Sequence, residues 1–137
     1  MSLAIRDAML AVVAATFPEI PEARIHSRKM DTTEKFPAAS IYLGELDSER
    51  ASMARHRKRV QEVRVIIFRA NTEDLEGVFL GNTDTLEQAV ETARRAGDFG
   101  EVPIELTNMN MQFPQDGNGK NGAVVMTFSA EYTRALE

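Results

Sequence analysis

The sequence lacks cysteine altogether, has no Asn-X-Ser/Thr acceptor and contains no long apolar run. Without cysteine, disulfide bonds, thiolate metal sites and cysteine nucleophiles are excluded. The longest apolar run, residues 8–15, is eight residues long, whereas roughly 20 are needed to span a bilayer. The charged pair Arg6 and Asp7 and the missing A-x-A site argue against a secretory signal. We therefore expect a cytoplasmic or particle-borne protein with no membrane contact.

The composition is that of an ordinary soluble domain. Hydrophobic residues make up 43% of the 137 residues, and charged residues make up 27%. A chain of this length and composition can bury a sizeable core. We therefore predict one folded domain over residues 1–137 rather than a disordered chain.

The charges are unevenly distributed along the chain, although the net charge is only −5. Residues 50–61 contain five basic side chains, His56 and no acid, whereas residues 71–105 contain nine acids against two arginines. Opposite patches on one subunit suit docking onto copies of itself or onto another protein. The alternative is that both runs are solvated surface. The basic run supplies these candidate interface residues: Arg50, Arg55, Arg57, Lys58 and Arg59.

Hydrophobic periodicity predicts two helices and several strands. The helices are expected at residues 3–17 and 84–96, the second beginning at a capping box formed by Asp84 and Glu87. Residues 71–82 contain Gly77 and Gly81 and are expected to be irregular. Alternation of apolar and polar residues predicts strands at 36–46, 60–70, 102–113 and 123–134, with a weaker strand at 22–28.

Two local features complete the predicted fold. A change of phase near residues 107–108 predicts a β-bulge in the third long strand. The polar residues 47–57 are expected to form a hairpin loop of about ten residues, long enough to have a function of its own. The fold class is α+β, with an antiparallel or mixed sheet of four to five strands and two helices packed on one face.

No motif for catalysis, cofactor binding or metal binding emerges from the sequence. The segment DGNGKNG at residues 116–122 lacks the ligands of a calcium loop and the Ser or Thr of a phosphate loop, so we interpret it as a hairpin turn. His26 and His56 have no third nitrogen ligand for zinc, and there is no Gly-x-Ser-x-Gly elbow. We therefore expect a protein that is not an enzyme and binds no cofactor or metal.

Met109 and Met111 alternate with polar residues in the third long strand. This alternation fits a strand whose methionines face the core. It also fits an adaptable interface strand, because methionine repacks easily against different partners. Both interpretations stay open, and both methionines are candidate interface residues.

Segment 36–45, FPAASIYLGE, resembles the strand-opening segment of the lambda-like phage minor tail protein U family, which are tail terminators. The surrounding pattern is similar as well. A helix precedes the segment, a strand of the form EVRVIIF follows at residues 62–68, and a final strand contains AEYT at residues 130–133.

The resemblance implies an α+β fold and a ring of six identical subunits that ends the polymerisation of the tail tube. It implies two further partners, the tail tube protein and the head–tail connector protein, and no catalytic residues. The expected location is the virion tail, with the host cytoplasm as the place of assembly.

Other classes of function stay open. One is another head–tail joining (neck) protein of phage or prophage, and another is a small α+β ligand-binding domain with a pocket of convergent polar groups. A nucleic-acid binder would have to act through the basic run, because the chain as a whole is acidic.

Overall fold

The computed structural model describes residues 2–30, 36–50, 56–70, 74–100, 102–113 and 121–135. Two helices and five strands form an α+β fold, which confirms the predicted class. The helices are α1 (Ser2–Thr16) and α2 (Leu75–Arg95). The strands are β1 (Ile25–His26), β2 (Ala38–Arg50), β3 (His56–Ala70), β4 (Ile104–Gln112) and β5 (Asn121–Ala135).

The strands form one mixed sheet in the order β1-β2-β3-β5-β4. β1 is parallel to β2, and every other neighbouring pair is antiparallel. The bulge predicted in β4 is confirmed by a shift of register between Leu106 and Asn108. A second shift, which the sequence did not indicate, lies between Leu43 and Leu46 in β2.

Both helices pack on the same face of the sheet. The strands alternate as predicted, so every second residue points toward the helices. These strand residues and the inner sides of both helices form one buried apolar cluster. Each large apolar side chain that is fully buried contributes roughly 1.5–3 kcal/mol to the stability of the fold, so this cluster supplies most of the stabilisation. Its fully buried side chains include Ile5, Met9, Val13, Ile41, Val63, Val65, Ile67, Phe79, Leu86, Val90, Met126 and Phe128.

Helix α2 begins nine residues before the predicted start, so the prediction of an irregular segment there is wrong. Asp74 is the N-cap, and its carboxylate accepts a hydrogen bond from the Gly77 amide at 3.0 Å. A Cβ at residue 77 would lie 2.2 Å from that carboxylate. The glycine therefore makes room for the cap rather than breaking the helix, and the capping box predicted at Asp84 does not exist.

The hairpin between β2 and β3 also differs from the prediction. β2 continues to Arg50 and β3 begins at His56, and Arg50 is the register partner of Arg57. Most of the predicted loop is therefore paired strand, and the connection itself, residues 51–55, lies outside the described residues. Charged residues form strand here because β5 pairs with β3 along all fifteen of its residues. The turn predicted at residues 116–122 falls outside the described residues except for Asn121 and Gly122, which begin β5.

Candidate assembly surface

The long strands extend past the buried core as a three-stranded projection, which we call the arm. Gln61 in β3 and Ala130 in β5 are register partners and are both buried. Beyond them, β3 and β5 each continue for five residues to the pair His56 and Ala135. At about 3.3 Å per residue, this adds roughly 17 Å of paired strand. The arm consists of residues 46–50, 56–60 and 131–135.

The base of the arm is fixed by one buried amide. The Gln61 Nε2 donates to the carbonyl oxygens of Gly44 and Glu45, at 3.2 and 3.3 Å, and to that of Glu62 at 2.9 Å. Gly44 and Glu45 are the two residues of the β2 bulge. These bonds join the two bulged residues to a buried side chain of β3, so Gln61 holds the bulge in place, and a bulge bends the strand in which it lies.

The structure places most of the basic run on the arm. Arg57 is the register partner of Arg50 on one side and of Arg134 on the other, so three arginines meet at the backbone level near the end of the arm. Lys58 forms an ion pair with Glu131. Arg59 is half-buried, and its Nε is buried without a hydrogen-bond acceptor. Arg55 lies outside the described residues.

The two predicted interface methionines lie on an edge strand. Met109 and Met111 are partly buried and pack against the helix-side core, which fits the first interpretation of their alternation. In the described part of the chain, no strand pairs with the outer side of β4. The same methionines therefore also border an open strand edge, and the second interpretation stays a prediction.

The outer edge of β2 is open as well. β1 pairs only with Ala39 and Ser40, so within the described ranges the outer side of β2 has no strand neighbour from Ile41 to Arg50. Leu46 lies on this edge and is 45% exposed, although it lies opposite Gln61 on the helix-bearing face. One sheet thus carries two open edges on opposite sides. The sequence pattern did not identify Leu46 as a residue of the helix-bearing face, because the bulge shifts the alternation of β2 by one residue between Leu43 and Leu46.

A groove of about 360 Å³ runs between α2 and β4. Its apolar floor contains Val90, Ile104, Leu106 and Phe128, and its rim contains Glu87, Glu91 and Glu105. Glu91 accepts hydrogen bonds from Arg94 and Arg95. The bond from Arg94, followed by the charge of both arginines, lowers the pKa of Glu91. The floor is therefore apolar, and the rim carries three glutamates, of which Glu91 is paired with two arginines.

The face of the sheet opposite the helices carries a second, more polar groove of about 400 Å³. The Arg64 guanidinium donates hydrogen bonds to the side chains of Tyr42 and Glu62, and these hydrogen bonds raise the pKa of Arg64. Ile66 and Val125 form part of the floor, beside Asn108 and Asn110 of β4. This groove can hold a polar or anionic group. No local sequence pattern predicts it, because its residues come from four strands and from the segment with Lys29 and Met30.

The described residues form neither a metal-binding cluster nor a membrane-spanning helix. Among the described residues, no group of three or more His, Cys, Asp or Glu side chains could hold a metal ion. In the same part of the chain, neither helix combines the length and the hydropathy needed to cross a membrane.

Comparisons with known proteins found similarity at the level of solved structures. No family model matches the chain, and no curated protein matches it. A chain of the solved structure "Virion of native gene transfer agent (GTA) particle" is similar to it, with 11% sequence identity and a TM-score of 0.48. The match covers 90% of this chain and 86% of that chain.

Proposed function

We propose that this chain is a structural protein of a phage or prophage tail, a tail terminator that caps the completed tube. It ends tube polymerisation and forms the surface that joins the head connector. The observation that carries the proposal is the resemblance of residues 36–45 to the tail-terminator family. Most of that segment forms β2, the strand with the open outer edge.

The open edges on both sides of one sheet support a ring. Head-to-tail contacts use two different surfaces on each subunit, and they close into a ring when the rotation between subunits fits. The edges of β2 and β4 are two such surfaces. Six copies are proposed because a cap must match a six-fold tube, as the resemblance implies.

The proposed role is assembly rather than catalysis. The partners are other copies of the chain, the tail tube protein and the head–tail connector protein, and any contact with nucleic acid is made through the basic run at residues 50–59. The protein acts in the virion tail and assembles in the host cytoplasm. A neck protein of similar size would differ mainly in its partner.

Tube capping is tested by adding the purified chain to the tail tube protein of the same genome during polymerisation. We expect shorter tubes, each ending in a ring seen by negative-stain electron microscopy. Tubes of unchanged length and uncapped ends would refute the terminator role, while binding to the connector alone would identify a neck protein.

The oligomeric state is tested by sedimentation velocity over a wide concentration range. A lateral contact in a subunit this small is expected to bury less than about 1,000 Å², which gives weak association of the free protein. The tube then supplies the missing avidity, because later contacts become intramolecular. We expect a salt-dependent shift toward hexamers as concentration rises. A tight dimer with two-fold symmetry at all concentrations would contradict the proposal.

A small-molecule-binding domain is the second candidate, and the polar groove on the open sheet face favours it. The Arg64 guanidinium would pair with an anionic group there. Titration with phosphate or acetate, followed by amide NMR shifts at Thr127 and Asn108, tests this function. Saturable shifts that Arg64→Gln abolishes would support it, and unsaturable shifts would refute it.

A further inference from the structure

We propose that the outer edge of β4 in one copy pairs with the outer edge of β2 in a second copy of this chain. The sheet then continues across the boundary between subunits. This inference rests on the proposed function, because it names the two surfaces that would build the ring. It goes beyond that function by assigning the strands, the contacting side chains and their relative direction.

Strand direction favours this pairing. β2 and β5 run one way in the sheet, whereas β3 and β4 run the other way. If the next copy is added beside β2 in the same orientation, its β4 lies antiparallel to β2. The alternation that joins β2, β3, β5 and β4 within one copy therefore continues without interruption into the next. Antiparallel addition of a strand to an open edge is a common mode of recognition.

The lengths of the two edges also match. β4 offers nine residues, Ile104–Gln112. β2 offers the residues from Ile41 to Arg50, because β1 covers only Ala39 and Ser40. An unprotected edge of this length exposes unpaired backbone donors and acceptors, which is a liability unless a partner covers it. In a closed ring, one neighbour covers the β2 edge of each copy and the other neighbour covers its β4 edge.

On the helix-bearing face, four side chains along the two edges agree in polarity. Leu46 lies on this face of β2 and is 45% exposed. A register that sets Leu46 beside Leu106 of the next copy also sets Leu43 beside Met109. These four side chains are apolar and lie on the same face, so they form apolar cross-strand pairs there. This arrangement gives Met109 an intermolecular neighbour in addition to its own core.

The groove between α2 and β4 accommodates the incoming strand. Side chains on the helix-bearing face of an added strand lie directly beside this groove. Leu46 would enter between Val90 and Leu106, above the buried ring of Phe128. The contact removes the exposed Leu46 side chain from water and occupies part of a groove of about 360 Å³ that the isolated subunit leaves open.

Cysteine cross-linking tests the pairing directly, because the chain has no cysteine of its own. Leu46→Cys and Leu106→Cys are made as separate single variants, mixed at high concentration and treated with a short bismaleimide. We expect a covalent dimer in the mixture and none in either variant alone. Leu80→Cys mixed with Leu106→Cys is the control, because Leu80 is 47% exposed and belongs to α2 rather than to either edge strand.

The register is read from two further partners for Leu46→Cys, namely Ile104→Cys and Met109→Cys. Cross-linking to either of them instead of Leu106→Cys supports edge pairing with a shift of register. No cross-link at any of the three positions, in samples that sedimentation shows to be associated, overturns the edge pairing but leaves the ring possible. The double variant Leu46→Cys/Leu106→Cys tests the ring separately. A series of cross-linked oligomers that extends beyond six subunits refutes the six-fold cap but retains the edge pairing.

A second variant measures the energetic contribution of Leu46. Leu46→Glu is expected to weaken self-association by about tenfold or more, since it places a charge in an apolar groove. Leu80→Glu has nearly the same exposure and serves as the matched control. Circular dichroism checks that both variants are folded. Equal association constants for the two variants would overturn the inference.

Discussion

The truncation of Phe79 to alanine is the sharpest test of the amino-terminal half of α2. Phe79 is fully buried, and its ring centroid lies 6.1 Å from that of Phe113 at an angle of 44°. A Cβ built on Gly122 would lie 3.2 Å from its Cε2 atom. The ring therefore fills a closely packed site between α2, the end of β4 and the start of β5.

The expected cost follows from this packing. Phe→Ala at a fully buried site removes apolar contact and leaves a cavity, which together cost about 3–5 kcal/mol. A domain of this size has a total stability of about 5–15 kcal/mol, so the variant is expected to fold. At roughly 3–5 °C per kcal/mol for a chain of this length, Tm should fall by about 10–20 °C.

The control is the neighbouring residue in the same helical turn. Leu80 is 47% exposed, so Leu80→Ala is expected to cost less than about 1 kcal/mol. Both variants are compared by thermal and urea unfolding monitored by circular dichroism. If Phe79→Ala costs no more than Leu80→Ala, this part of the chain is not docked on the core, and the assignment of α2 from Leu75 is refuted.

Two further predictions concern the ends of α2. Asp74→Ala removes the cap of the Gly77 amide and should lower the free energy of unfolding by about 1 kcal/mol, with Asp74→Asn close to wild type; equal urea midpoints for all three proteins would contradict the cap. Arg94→Gln removes the first cause of the lowered pKa of Glu91, so an NMR titration should show that pKa rising toward its ordinary value. Because a lowered carboxyl pKa stabilises the fold above the unfolded pKa and the effect is lost as pH falls through the folded pKa, the stability difference between wild type and Arg94→Gln should be present at neutral pH and absent in strong acid.

The parity of the strands could be predicted from the sequence because burial dictates it. Val63, Val65 and Ile67 share one face and Arg64 the other, and a strand with one buried face must alternate in this way. The bulge in β4 was predictable for the same reason, since a change of phase requires an extra residue. Local pattern and global packing agree at these positions.

The missed features depend on contacts that are distant in sequence. The glycines at 77 and 81 are unfavourable in an isolated helix, and only the docking of Phe79 and the cap at Asp74 outweigh them. The arm resembles a loop because its residues are charged, yet pairing with β5 makes it strand. The two open edges could not be foreseen, because they follow from the order β1-β2-β3-β5-β4 rather than from any single segment.

The central position of β5 also constrains the order of events during synthesis. Residues 71–120 separate β3 from its inner partner β5, and at about 5–20 residues per second the ribosome needs roughly 3–10 s to make them. For that time, the long edge of β3 and the apolar side chains around Val65 have no β5 to cover them. Strand pairs that are distant in sequence form slowly, so the nascent chain exposes an incomplete sheet with uncovered apolar side chains. A chaperone would bind the chain during this interval.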